Sequence, residues 1–468
     1  MMYNKLDHVG VSSLSELSAK LEKYGCDRIL IKKLVKNNND KNQVYFHHDA
    51  SLLNSIFDLT FHNREPSTSK KKKGRIKGRS ITEAIFNSYS WLSVDDELHQ
   101  VPHCKGILYL QYPEVRLSGF SAESGLMPES MSVAFTKQYP DKHRYLAIGA
   151  TPEGAAIAVI LAEPSEDFHK GFDNLPYMEN SKICKKYEIK KSDSSQKLKR
   201  LLQKRISGRD IKGCRLSTSG ETLPFTGTQV HGYTLEHELG IATNASKDGD
   251  IFGIELKCFT SPKLTLFTPE PDGGLYAKNF PEFMCKYGYL KNEVYRLSGL
   301  HRAGQVCEKS NLTLQVVCTH KSDVDERLGF YNPKLPLSHQ MKNLQVVLCD
   351  DDGEVAASWS MNRLLNNWGV KHNEAVYVPA RVSDNHIQAE VEAGFTRRVW
   401  FGDKVLWCKK TSLELMIKAI ASGVIFLDPA PKYDADNPRN NKRRSQWRIN
   451  NIYRDSKFLY RQVEEVEL

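Results

Sequence analysis

Residues 248–259 read Asp-Gly-Asp-Ile-Phe-Gly-Ile-Glu-Leu-Lys-Cys-Phe, and the second half of this stretch alternates as a strand does. On a strand, successive side chains point to opposite faces, so Glu255 and Lys257 share one face. Ile254, Leu256 and Cys258 share the other, and three apolar side chains in that pattern call for a core on their side. Asp250 stands five residues before Glu255, so on one unbroken strand the two carboxylates would point apart. A bend is needed for them to converge, and Gly253 offers a place for it. Two carboxylates held that close repel unless a cation lies between them. Oxygen donors suit Mg²⁺, which keeps several waters and grips phosphate oxygens. With Lys257 beside such an ion to orient or deprotonate a water, Asp250, Glu255 and Lys257 have the parts for metal-assisted phosphodiester hydrolysis.

Glu-x-Lys alone is a weak signal. A second copy, Glu188-Ile-Lys190, has Ile183 at the place of the upstream aspartate and lies in a polar, basic stretch. A solvated strand edge is the competing reading of the central triplet, and the rest of the chain has to decide. Its charge does some of that. Lys and Arg number 66 against 56 Asp and Glu, a net +10 that favours a polyanionic partner. A generally basic soluble protein would show the same balance, but here the cations cluster. Lys70, Lys71, Lys72, Lys73, Arg75, Lys77 and Arg79 put seven cations into ten residues. That run reads as a loop that either contacts phosphates or is simply solvated. Lys442, Arg443, Arg444 and Arg448 form a second cluster near the end.

Other classes fall away. The longest apolar run, 155–162, is far shorter than the ~20 residues of a membrane-spanning helix. The first residues, Met-Met-Tyr-Asn-Lys-Leu-Asp, contain no apolar signal core. Ten cysteines are scattered without a Cys-x-x-Cys pair, so neither a zinc site nor a disulfide framework is expected, and a reducing cytoplasm is.

At about 150 residues per domain, 468 residues predict two or three domains. Residues 13–24 predict a short amphipathic helix, and 28–36 and 43–47 predict strands. Further β-like runs at 106–112, 131–134 and 155–162 make residues 1–165 a mainly β domain with the character of a small barrel. Residues 166–193 turn polar, lose periodicity and read as a linker. From 194 onward helices and strands mix: a basic helix at 194–205, a helix carrying Glu236, the central strand, a strand at 375–382 and a hairpin about Gly402-Asp403. The expectation for 194–468 is an α/β domain with a central mixed sheet flanked by helices.

The order of motifs in this second half resembles the MvaI/BcnI family of type II restriction endonucleases. Gly-Tyr-Thr-Leu-Glu at 232–236 comes first, then Asp250-x4-Glu255-x-Lys257, then Leu-Thr-Leu-Phe-Thr-Pro at 264–269. Ala-Ser-Trp-Ser-Met-Asn-Arg at 357–363 preceded by Ala356, the Gly-Val-Ile at 423–425 and Trp-Arg-Ile-Asn at 447–450 follow. The resemblance implies a PD-(D/E)XK nuclease fold and Mg²⁺-dependent cleavage of short duplex sites of the CCWGG or CCSGG kind. By motif position it makes Asp250, Glu255 and Lys257 the catalytic set, with Glu236 as a supporting acid and the Leu256 carbonyl as a further metal ligand. It also implies a double-stranded DNA partner, no nucleotide cofactor, a monomer in the free state and a cognate DNA methyltransferase in the same system. One departure stands out. The family has a histidine-containing stretch before its C-terminal Arg-Ile, and here 440–448 holds none. Histidine-mediated base contacts are therefore not carried over, and Arg448 is the leading candidate for base contact, with Lys442, Arg443 and Arg444 beside it. The first half, through residues 33–46 and 51–57, resembles the start of the EcoRII N-terminal effector domain, a B3-like DNA-binding barrel. Two other functions fit the same chemistry: a structure- or mismatch-directed nicking enzyme, and a DNA-binding protein with a degenerate nuclease core. An intact acid, acid, lysine set speaks against the second.

Overall fold

The computed structural model describes residues 2–35, 43–47, 53–64, 81–109, 114–178, 181–189, 194–241, 251–319, 328–368 and 372–468. Asp250 and the basic run of Lys70, Lys71, Lys72, Lys73, Arg75, Lys77 and Arg79 lie outside the described residues. The chain divides into two compact units, the first built mainly from Met1–Ser192 and the second from Asp193–His320 and Asn343–Leu468.

The first unit is mainly β, with its strands distributed over two sheets. At the middle of the larger sheet, Arg144–Ala150 and Ala156–Ala162 pair antiparallel, with Arg144 opposite Ala162 and every residue of both strands buried. Arg28–Lys33 and then Lys185–Glu188 continue the sheet on one side, and Tyr89–Leu92 and Leu98–Gln100 on the other. Two helices cover one face. Leu14–Glu22 starts at Ser13, whose hydroxyl accepts from the Glu16 N–H at 3.2 Å, satisfying one of the free donors at a helix start. Leu17 and Leu21 of that helix pack on Ile29, Ile31, Tyr145, Val159 and Leu161, alternate residues of three strands. The smaller sheet is wholly antiparallel, in the order Val44–His47, Glu114–Ser118, Lys105–Tyr109, Ile81–Phe86, Leu59–Arg64.

Two expectations are corrected here. Residues 131–134 are not a strand: Ser132 caps a helix, Val133–Gln138, by accepting from the Phe135 N–H at 3.0 Å. Residues 166–193 do not behave as a linker through most of their length. Glu166–Asp173 is a helix capped by Ser165, and Lys185–Glu188 is the edge strand of the larger sheet. The apolar signal was only two residues, Phe168 and Phe172, but they are four apart and so lie on one helix face. Both enter the same core as Leu17 and Leu21.

The second unit is centred on an eleven-residue strand, Glu374–Asp384. Glu255–Phe259 runs parallel to it, and Asp210–Lys212, Arg397–Phe401, Lys404–Lys409 and Gln462–Glu467 complete a mixed sheet. The expected hairpin about Gly402-Asp403 is something else. Phe401 lies opposite Ala380 and Leu406 opposite Tyr377, so both segments pair with the central strand, one after the other, as an interrupted antiparallel run. Helices Ser194–Arg205 and Val230–Glu238 cover one face through Leu198, Leu202, Val230 and Leu235. Leu264–Phe267, Trp447–Ile449 and Phe426–Leu427 form a separate three-stranded sheet, where Trp447 is fully buried and stacks on Phe267 at 5.9 Å. Among the described residues, no helix is long and apolar enough to cross a membrane.

If Glu166–Asp173 is core rather than connection, Phe168→Ala should destabilise the first unit by about 3–5 kcal/mol, the usual loss for a buried phenylalanine. Urea denaturation of the full chain reads this directly. A loss within ~0.5 kcal/mol, as for a surface change, would contradict the packing.

Candidate active site

The site begins with a turn. The Ile251 N–H donates to the Ile254 carbonyl at 3.3 Å and the Ile254 N–H donates back at 2.9 Å, so the chain reverses over two residues. Those residues, Phe252 and Gly253, have φ of 53° and 73°. Positive φ at both central positions is the tight hairpin geometry whose twist matches that of strands. Glycine adopts it freely, whereas for phenylalanine it is a rare conformation. The expected bend is therefore present, and it places Ile251, the residue after Asp250, opposite Ile254, the residue before Glu255.

Beyond the turn, Glu255–Phe259 pairs in parallel register with the central strand, Glu255 with Ala375 and Lys257 with Tyr377. Leu256 and Cys258 point to the helix-covered face, where they pack on a core that includes Leu202, Leu235, Val376 and Val378. Burial pushes the Cys258 thiol well above its usual range, and the nearby charge of Glu236 adds to this. Glu236 is half-buried on helix Val230–Glu238, which packs on this strand.

Glu255 and Lys257 emerge on the opposite face. Lys257 Nζ lies 3.0 Å from Glu255 Oε1, and their side chains are 23% and 4% exposed. A carboxylate so nearly buried needs a counter-charge, and the ammonium two residues on supplies it. Tyr377 and Tyr460 lie close by, both fully buried, their hydroxyls 2.9 Å apart. Burial above all, with the Glu255 charge adding to it, holds both phenols well above their usual range, so they stay neutral. This pair was not identified from sequence. The two residues are 83 positions apart, and no local pattern joins them.

The described donor here is a hard one, the Glu255 carboxylate. A second carboxylate brought round by the turn would leave net negative charge beside a single ammonium, a balance that a divalent cation with oxygen ligands restores. A carboxylate oxygen is the kind of donor that suits Mg²⁺.

A second cluster was also missed. Ligand atoms of Cys214, His237 and Glu238 lie within 4.8 Å of one another, the one such group found among the described residues. Its side chains already partner one another and a neighbouring threonine. Burial, with Glu238 adding to it, pushes the Cys214 thiol up to about 12. Both imidazole nitrogens of His237 already have partners, Thr222 Oγ1 at 2.8 Å and Glu238 Oε1 at 3.1 Å.

The cationic residues of the last segment divide. Lys442, Arg443 and Arg444 are exposed, with the Arg443 guanidinium 4.6 Å over the Phe280 ring and 5.2 Å over Tyr276. Arg448, on the buried strand Trp447–Ile449, donates from Nη1 to Asp428 Oδ2 at 3.0 Å, and Lys263 Nζ reaches the same oxygen at 3.2 Å. The sequence reading named neither Asp428 nor Lys263.

Residues 196–460 match the profile of the MvaI/BcnI restriction endonuclease family. A solved complex of restriction endonuclease MvaI with its cognate DNA substrate is similar over 59% of this chain and 99% of that one, with 14% identity and a TM-score of 0.39. MvaI in the absence of DNA is similar over 59% and 98%, with 13% identity and a TM-score of 0.28. No curated protein sequence matches.

The tyrosine pair gives a test of the geometry. Tyr377→Phe leaves the buried Tyr460 hydroxyl without its partner and should cost roughly 1–3 kcal/mol in denaturant unfolding. Replacing both tyrosines by phenylalanine should cost less than the single change, since no polar group is then stranded. A double variant as unstable as the sum of the singles would refute the pairing.

Proposed function

The chain belongs to the MvaI/BcnI restriction endonuclease family, whose members are type II enzymes, and on that premise we propose that it uses Mg²⁺ to hydrolyse both strands of duplex DNA at a short GC-flanked site of the CCWGG or CCSGG kind. The observation that carries the reading is the Glu255–Lys257 pair, an acid and an ammonium 3.0 Å apart on one face of a strand whose other face is locked in a core. The coarser statement, that this is a site-specific DNA endonuclease, follows from the family.

Asp250, the Glu255 carboxylate and the Leu256 carbonyl would hold the metal. Bound there, Mg²⁺ supplies Lewis acidity toward the scissile phosphate and lowers the pKa of a coordinated water. Lys257 steadies the attacking water and offers positive charge to the non-bridging phosphate oxygens as charge builds on them. Glu255 has a further part, since its ion pair keeps the Lys257 side chain directed toward the reacting centre. In-line displacement would leave 5′-phosphate and 3′-hydroxyl ends. Glu236 supports the site from the neighbouring helix.

For recognition, Arg448 is the proposed base reader. Its anchoring by Asp428 fixes one edge of the guanidinium and limits the entropy lost on contact. Lys442, Arg443 and Arg444 are exposed and suit phosphates. We assign residues 1–165 a second DNA contact, through a B3-like surface and the basic run Lys70 to Arg79, with 194–468 as the catalytic domain. Two contacts on one chain raise effective concentration, so DNA binding should be tight and strongly salt-dependent. The enzyme would act as a monomer until DNA binds, with a methyltransferase protecting the same site.

Glu255→Ala and Lys257→Ala should abolish cleavage of plasmid DNA in Mg²⁺ while leaving binding measured in Ca²⁺ within a few-fold of the parent. Near-parental cleavage by Glu255→Ala would refute the site. Arg448→Ala should weaken binding to the cognate duplex by about 1–3 kcal/mol, the worth of one bidentate guanine contact, with little effect on unrelated DNA. An equal loss on both duplexes would make it a backbone contact.

A further inference from the structure

The first unit contains a cavity of about 500 Å³, within the size range of small-molecule sites. Its walls carry four lysines and one arginine against a single carboxylate, Asp173, which is exposed. Three of these cations, Lys32, Arg144 and Lys185, are buried. Lys32 is 7% exposed and Arg144 is 5% exposed. Among the described residues, no carboxylate bears on the charge of either.

The two are held differently. Arg144 donates from Nη1 to the Ser130 carbonyl at 2.7 Å and from Nη2 to the Val35 carbonyl at 3.2 Å, while its buried Nε has no partner among the described residues. Lys32 has its ammonium 5.1 Å over the Tyr45 ring. A third wall cation, Lys185, is also buried, but it donates to the carbonyls of Phe172 and Asp173 at 3.0 and 2.6 Å and stands over the Tyr177 ring at 4.9 Å.

Burying a charge without a counter-charge costs several kcal/mol by order of magnitude, and a chain avoids it unless something offsets it. Desolvation holds Lys32 down to about 8, which leaves it largely protonated at neutral pH. Two buried cations facing one void therefore call for an anion. The remaining lining says what kind. Tyr45 and Tyr177 are 36% and 54% exposed, so each offers ring surface, and Leu34, Val44 and Met131 add apolar wall. Phosphate beside cations with a flat aromatic body against tyrosines is how proteins hold a nucleotide.

We propose that this cavity of the first unit binds a mononucleotide, its phosphate toward Lys32 and Arg144 and its base against Tyr45 and Tyr177. The occupant is either a free nucleotide or a nucleotide turned out of a DNA strand, which present the same chemistry. The proposal is independent of the nuclease assignment.

The test is thermal unfolding and direct titration of the full-length protein. The probes are deoxynucleoside 5′-monophosphates, the matching nucleosides and inorganic phosphate. The monophosphates should raise the melting temperature saturably and bind at least ten-fold more tightly than either fragment. Lys32→Met removes a buried charge and should not unfold the protein, yet it should weaken nucleotide binding at least ten-fold. Lys182→Glu, at the exposed rim, should do so too without entering the core. No saturable effect at millimolar monophosphate, phosphate binding as tightly as nucleotide, or undiminished binding by both variants would each overturn the proposal. Competition against a labelled monophosphate then separates the sources. Displacement by a duplex with one unpaired base, but not by a fully paired duplex, supports a base extruded from DNA. No displacement by either supports a free nucleotide.

Discussion

A buried carboxylate is tolerable only with its counter-charge in place, and in this protein Glu255 meets that condition through Lys257. The two cannot drift apart, because the strand that carries them is fixed on both sides. Leu256 and Cys258 anchor it in the core beneath the helices, and parallel pairing with Glu374–Asp384 sets its register. A slip of one residue would exchange the faces, driving Glu255 and Lys257 into hydrocarbon and exposing Leu256. The apolar half of the alternation is thus what positions the polar half. The Tyr377–Tyr460 hydrogen bond places two neutral hydroxyls near Glu255.

This arrangement explains why chemistry would be found here and not at the other acid-rich cluster. Cys214, His237 and Glu238 satisfy one another and Thr222, and the thiol is held protonated. Glu255 and Lys257 instead sit where a turn can deliver a second carboxylate. Family membership supplies the class of reaction. The geometry adds that the chain reverses at Phe252 and Gly253, just before Glu255.

What was legible in the sequence was short-range. Strand alternation at 254–258 has a period of two and needs no knowledge of partners, so the shared face of Glu255 and Lys257 could be read in advance. The bend was legible as a requirement, although the unusual backbone of Phe252 was not. Failures came where a few apolar residues are diluted by polar ones. Helix Glu166–Asp173 offers only Phe168 and Phe172 against charged neighbours, and it passed for a linker. Long-range partners left no trace: Tyr460 beneath the site, Asp428 holding Arg448, and Lys32 and Arg144 meeting at one cavity all depend on tertiary pairing. The Gly402-Asp403 interruption shows the same limit, since either pairing of its flanks is compatible with the local pattern.

The central claim is that Glu255 and the Leu256 carbonyl, with Asp250, gather a divalent ion against DNA. The most direct measurement is an anomalous-difference map from crystals of the protein with a cognate duplex, grown with Mn²⁺ in place of Mg²⁺. The account predicts a peak roughly 2.0–2.3 Å from a Glu255 oxygen and the Leu256 carbonyl oxygen, in contact with a backbone phosphate of the DNA. A peak bound instead by Cys214, His237 and Glu238, with none at Glu255, would contradict it.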